Sequence, residues 1–234
     1  MAPTVARNSD GIFFAAMTCL AFAIILTGFA PTFYLKPLFD SPPLEPLVRV
    51  HGIAFTLWPM LMVLQVFLIR AGTFRLHRAM GIAGMAIAIV MVVTGYMVIF
   101  GKPRPTESMR AFIFTPMLDL VWFSIAVAAG IRFRREAAIH KRLMYFATFF
   151  TVGAAMRRLL ALLGFSSTAY PYLAFVLVFT ALLLPLLTYD ARALRRIHPV
   201  TLWGVLIVLA RIPLHQAIAF TDPWQRFANW LTNS

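Results

Sequence analysis

Arg134–Leu160, with the sequence RREAAIHKRLMYFATFFTVGAAMRRLL, is the stretch that decides how this chain folds. It begins with a basic run and His140, continues with apolar residues, and carries Arg157 and Arg158 inside that apolar run. This pattern is typical of a membrane helix that starts at a charged surface and holds further charge near its other end. The rest of the sequence repeats this basic, histidine-containing start and supplies partners for the arginines.

Composition assigns the whole chain to the membrane. Of its 234 residues, 61% are hydrophobic and 12% are charged, and the mean hydropathy is +0.83. Soluble domains have about 45–50% apolar and about 25% charged residues. The composition therefore predicts an all-α, polytopic membrane protein that forms one domain, with the lipid bilayer as its partner. The net charge of +13 is explained by basic residues that flank membrane spans, so we do not expect nucleic-acid binding.

Seven apolar runs are long enough to cross a bilayer, which takes about 20 residues per helix. We predict a single domain over residues 1–234 with spans at 11–34, 46–69, 77–100, 111–133, 142–165, 172–189 and 199–220. Pro185 should kink the sixth span. The segment after the seventh span is amphipathic, and its Trp224 and Trp230 are suited to the membrane interface.

The distribution of basic residues predicts the orientation. The links after spans two, four and six hold eleven Lys and Arg residues: Arg70, Arg75, Arg78, Arg132, Arg134, Arg135, Lys141, Arg142, Arg192, Arg195 and Arg196. The segments assigned to the other side hold seven: Arg7, Lys36, Arg49, Lys102, Arg104, Arg110 and Arg226. By the positive-inside rule, we expect the three basic links in the cytoplasm. We assign the amino terminus to the outside and the carboxyl terminus to the side opposite the cytoplasm.

The three basic links end alike, in TFRLHRAMG at Thr73–Gly81, REAAIHKRLM at Arg135–Met144 and LRRIHPVTL at Leu194–Leu202. Each places a histidine at the start of a helix and at one membrane depth: His77, His140 and His198. One interpretation is that these histidines only cap helices or contact lipid phosphates. The alternative is that they converge with Asp190 on a metal site or bind haem iron. The single cysteine, Cys19, excludes any cysteine-based cluster.

A second set of polar residues is expected at the opposite membrane depth. At a rise of about 1.5 Å per residue, Arg157 and His215 lie about 25 Å from the basic links, near the depth of His51, Asp119 and Arg211. This polar layer is either a structural ion pair of Asp119 with Arg157 or Arg211, or a site for an anionic ligand. Gln65 is a further candidate for ligand binding. It shares one face of the second span with His51 and Trp58, because these residues recur every seven positions.

The histidines also allow a haem-based interpretation. A pair in each leaflet, His51 with His215 and His77 with His140, would accommodate two b-type haems stacked across the membrane. Helical cytochromes b are built in this way, although the spacings here are not theirs. All five histidines are therefore candidate cofactor ligands.

Four segments carry a family resemblance: HGIAFTLWPMLMVLQ at His51–Gln65, LHRAMGIAG at Leu76–Gly84, HKRLMYFAT at His140–Thr148 and RRIHPVTLWG at Arg195–Gly204. They are similar to segments of a family of uncharacterised heptahelical bacterial inner-membrane proteins. The resemblance implies seven helices and a location in the bacterial cytoplasmic membrane, and it brings no activity with it.

Three functions are compatible with these patterns. The first is a redox protein that binds haem b or a metal ion through histidines. The second is a transporter or sensor that binds an anionic or amphiphilic small molecule. The third is a non-catalytic accessory subunit or assembly factor, with a membrane-protein partner or a second copy of the chain bound through small-residue helix faces. The sequence leaves enzymatic activity open, since a site of three histidines could carry zinc or iron chemistry, although the chain contains no HExxH motif, nucleophile elbow or phosphate-binding loop.

Overall fold

A computed structural model of the chain describes residues 4–39, 42–102, 104, 106–165 and 171–233. Within these residues the regular structure is entirely helical. The α-helices are α1 (Thr4–Phe29), α2 (Pro46–Arg70), α3 (Phe74–Phe100), α4 (Glu107–Arg132), α5 (Ala137–Leu162), α6 (Pro171–Ala181), α7 (Leu184–Leu194), α8 (Pro199–Ile218) and α9 (Asp222–Asn233). A π-helical turn, Ala30–Tyr34, extends α1. The all-α prediction is confirmed.

Five segments among the described residues are long and apolar enough to cross a membrane. They are Gly11–Tyr34, Pro46–Arg70, Phe74–Phe100, Glu107–Arg132 and Tyr172–Leu194. The last of these combines α6 and α7, and Pro199–His215 in α8 is a shorter apolar helix. The chain is therefore a multi-pass helical membrane protein.

Helix α5 is 26 residues long but is not one of these five segments. Its basic residues lower its apolar character, yet twelve of its 26 residues are buried, against eight of 26 in α4. It packs most extensively against α1 and α4, and it also contacts α2, α6 and α8. Most of the stretch Arg134–Leu160 thus lies in the central helix α5, whose neighbours shield part of its charge from lipid.

The predicted kink in the sixth span is present. Helix α6 ends at Ala181 and α7 begins at Leu184, with Pro185 in the first turn of α7. Proline has no backbone N–H and clashes with the carbonyl four residues before it, which favours a kink or a break of the helix at this position. After the break the helix extends to Leu194, beyond the predicted end at 189.

The predicted position of the amino terminus needs correction. A Cβ atom at Gly11, near the start of α1, would lie 3.2 Å from the side chain of Arg70 at the end of α2. The Lys141 ammonium, at the start of α5, lies 5.0 Å from the ring centre of Phe14. The amino-terminal end of α1 therefore lies on the same face as the basic links. We call this face the basic face. Two consecutive spans return the chain to the side where it started. The basic links follow two, four and six spans, so they lie on the same side as the amino-terminal end of α1.

Helix α9 lies against α4 at the opposite end of the bundle. The Trp224 indole donates a hydrogen bond to the Arg110 carbonyl at 3.0 Å, and Arg110 Nε donates to Gln225 Oε1 at 2.7 Å. Trp224 is 6% exposed and Trp230 is 64% exposed. Only Trp230 is therefore free to contact the membrane interface, because Trp224 packs against α4.

Candidate functional site

A buried ion pair organises the basic face. Arg142 on α5 is bound to Asp190 on α7, and the two side chains are 1% and 0% exposed. Arg142 Nε also donates to Thr201 Oγ1 of α8 at 3.2 Å. Asp190 Oδ2 accepts a hydrogen bond from the His198 backbone N–H at 3.0 Å. These contacts join the ends of α5, α7 and α8, and they occupy the Asp190 carboxylate with partners from the protein itself.

His198 caps the start of α8. Its Nδ1 accepts a hydrogen bond from the Val200 N–H at 3.2 Å, which satisfies one of the free amide groups of the first turn. Burial lowers the pKa of His198, and the positive charge of Arg142 lowers it further. The imidazole is therefore held in its neutral form, which the capping hydrogen bond requires.

The predicted metal set does not assemble. It comprised His77, His140, His198 and Asp190, all of which lie in the described part of the chain. Among the described residues there is no group of three or more His, Cys, Asp or Glu side chains that could hold a metal ion. The physical reason is local, since Arg142 neutralises Asp190 and His198 binds its own helix.

The structure does bring His77 and His140 together. Their ring centres are 6.4 Å apart and their planes are inclined at 89°. His140 Nδ1 donates to the Gly130 carbonyl at 2.8 Å, which leaves its Nε2 as the ring nitrogen not engaged by this bond. Gly130 lies in the last turn of α4, where carbonyl groups have no partner within the helix. The end of α4 therefore orients the His140 ring.

Two buried polar atoms next to this pair lack hydrogen-bond partners among the described residues. They are His77 Nδ1 and Gln65 Oε1. Gln65 is 8% exposed, and its Nε2 donates to the His77 carbonyl at 3.1 Å. Buried polar groups are nearly always hydrogen bonded or bound to a ligand. Gln65 thus belongs with the His77–His140 pair and not with the opposite polar layer.

The second predicted haem pair has separate partners. His51 Nδ1 is hydrogen bonded to Thr94 Oγ1 of α3 at 3.3 Å. His215 Nδ1 is hydrogen bonded to Thr115 Oγ1 of α4 at 2.9 Å. The Nδ1 atom of each ring is therefore engaged with a different neighbouring helix.

The polar layer at the end opposite the basic face is present around Asp119. Of the two arginines considered as its partner, Arg211 forms the ion pair, with side chains 5% and 15% exposed for Arg211 and Asp119. The Arg211 guanidinium also lies 5.0 Å from the Phe179 ring centre. Arg157 is not in this ion pair but interacts electrostatically with Asp119 and Arg211. We call the set Asp119, Arg157, Arg211 and His215 the outer layer.

Several residues of these polar contacts were not predicted from the sequence. Arg142 was counted only as a basic link residue, although it is buried and binds Asp190. The one signal was that Asp190 is the sole acidic residue of its link. Thr94, Thr115 and the Gly130 carbonyl carry no recognisable pattern in the sequence, because their roles depend on which helix faces them.

Comparison with known proteins gives no relative from which a role could be transferred. No family model, no curated protein and no solved structure matches the chain.

Proposed function

We propose that the chain is a seven-span protein of the bacterial cytoplasmic membrane in which His77 and His140 ligate one transition-metal centre. The centre is either haem iron or a single metal ion, and its role is electron transfer. His198 and Asp190 are not part of this centre, because their hydrogen bonds are structural.

The separation of the two rings carries this proposal. With metal–nitrogen bonds of about 2 Å and about 1 Å from each nitrogen to its ring centre, two imidazoles on opposite sides of a metal have centres about 6 Å apart. A tetrahedral angle between them would reduce this separation to about 5 Å. The observed 6.4 Å is compatible with one metal between the two rings, so His77 and His140 would hold a haem iron or a single metal ion that could supply electron-transfer chemistry.

The surroundings of the pair also support metal binding. Ligating histidines usually donate their second N–H to a carbonyl or carboxylate, and the hydrogen bond from His140 to Gly130 has this form. His77 Nδ1 is buried and unpartnered among the described residues, as an available ligand atom would be. The positive charge of Arg78 acts on His77, and a haem would balance such charge with its propionates.

Absorption spectra and metal analysis of the detergent-purified full chain test the proposal. If the centre is haem, we expect a Soret band; if it is a single metal ion, we expect about one equivalent of metal per chain and no Soret band. His77→Ala and His140→Ala should each remove the bound haem or metal. His198→Asn is the control, because it removes a histidine of the same face while keeping a capping acceptor. Circular dichroism verifies that each variant is folded.

Two outcomes would overturn the proposal. One is wild-type protein that holds neither haem nor a redox-active metal after isolation and after incubation with haemin or with a copper salt. The other is a bound cofactor that persists in both His77→Ala and His140→Ala.

A further inference from the structure

The outer layer contains two levels separated by one helical turn. At the deeper level, Arg211 is neutralised by Asp119. One turn further along α8 and α5 lie His215 and Arg157. Arg157 is therefore the surplus positive charge of the layer, and uncompensated charge within a membrane is unfavourable.

Arg157 is accessible from the side of the helix bundle. Its side chain is exposed, and its guanidinium lies 4.7 Å from the ring centre of Phe112 on α4 and 5.5 Å from that of Phe175 on α6. Phe112 is 49% exposed and Tyr172 is 45% exposed. The cation thus lies between two helices in an aromatic setting that is open to the lipid side.

Two groups able to form hydrogen bonds lie near this cation. Tyr172 precedes Phe175 by three residues and so lies on the same face of α6, and the Tyr172 ring lies 6.5 Å from that of His215. A guanidinium has five N–H donors in a planar fork that matches a phosphate or carboxylate. The chemistry of this level therefore suits an anionic group.

The depth of Arg157 indicates what kind of anion can reach it. Arg157 precedes the end of α5 at Leu162 by five residues, or about 8 Å along the helix axis. This places it more than one helical turn before the end of α5. A soluble ion would have to leave water to reach this depth, whereas the headgroup of a lipid-like molecule is already at the boundary.

We propose that Arg157, together with Tyr172 and His215, binds the phosphate or carboxylate headgroup of an anionic amphiphile. The apolar tail of the ligand lies along Phe112 and Phe175. The site is separate from the His77–His140 pair, because Arg157 and His140 are seventeen residues apart on α5, or about 25 Å.

Native mass spectrometry of the full chain in a neutral detergent tests this site with three probes: phosphatidylglycerol, oleate and inorganic phosphate. We expect phosphatidylglycerol or oleate to bind, and Arg157→Gln to weaken that binding about tenfold, as expected for loss of a charge-assisted contact. Arg158→Gln is the matched control. It removes the same charge from the adjacent residue, whose guanidinium lies over Phe29 on α1.

The Arg158→Gln control distinguishes a specific site at Arg157 from general electrostatic attraction of anions. Weaker amphiphile binding by Arg157→Gln, with binding by Arg158→Gln within about twofold of wild type, supports the proposal. Equal loss in both variants, or no loss in either, overturns it. Inorganic phosphate that binds with the same Arg157 dependence and displaces the lipid would show a site for a free anion and would also overturn it.

Discussion

Gly28 of α1 and Ala155 of α5 lie in direct backbone contact. A Cβ atom at Gly28 would overlap the Ala155 carbonyl group. Close approach of this kind is how small residues bring membrane helices together. The contact sets the distance between α1 and the central helix, and so positions the helix that carries both His140 and Arg157.

This contact makes Gly28 sensitive to substitution. Gly28→Ala should destabilise the protein by about 1–3 kcal/mol, because the clashing group is backbone and cannot rotate away. Thermal unfolding in detergent measures the change. Gly81→Ala on α3 is the control, since the nearest atom to its Cβ would be 3.8 Å away, and alanine favours a helix over glycine by about 1 kcal/mol. A Gly28→Ala protein as stable as Gly81→Ala would refute the close contact.

The Arg142–Asp190 pair should show the asymmetry of buried ion pairs. Arg142→Met leaves the Asp190 carboxylate buried without its partner, and we expect a loss of about 3–5 kcal/mol. The double variant Arg142→Met with Asp190→Leu should recover much of that loss, because no buried charge remains. Unfolding in a denaturant series compares the three proteins. If the single and double variants are equally unstable, the pair does not contribute as the geometry indicates.

Sidedness can be measured with single cysteines in a Cys19→Ser background. An impermeant maleimide applied to intact cells should label Ser108→Cys, whereas Arg134→Cys should react only after lysis, because the basic face is expected in the cytoplasm. An amino-terminal epitope tag should also be accessible only after lysis, since Gly11, in the first turns of α1, lies beside Arg70. A tag detected on intact cells while Arg134→Cys stays protected would contradict the shared face.

The His198 cap predicts a loss of stability in acid. The pKa of His198 is lowered in the folded protein, relative to an unfolded value of about 6.5. Its contribution is complete above the unfolded value and is lost as the pH falls through the folded value, because the unfolded chain then binds the proton more readily. His198→Asn keeps a capping oxygen but does not titrate. The melting temperature of wild type should therefore fall more between pH 7.5 and pH 5 than that of His198→Asn, and parallel curves would exclude this role.

The depth of each polar residue was predictable from the sequence, but its partner was not. Counting residues along the spans placed His77 and His140 at one depth and Asp119, Arg157 and Arg211 at another. It could not choose between Arg157 and Arg211 as the partner of Asp119, nor foresee that Arg142 binds Asp190. Helix periodicity grouped Gln65 with His51 and Trp58. In the structure these three residues bind different partners: Thr94 for His51, Thr148 for Trp58 and His77 for Gln65.

The sequence by itself determined the class of this protein: an all-helical chain that crosses the membrane several times, with a basic face and charges at defined depths. Hydropathy, charge and rise per residue are local properties, so they can be read along the chain. Only the tertiary structure decided which side chains meet, because the rotation of each helix about its axis depends on packing with its neighbours. The contact of Gly28 with Ala155 is one such constraint. It positions the central helix α5, which carries His140 near one end and the exposed Arg157 near the other.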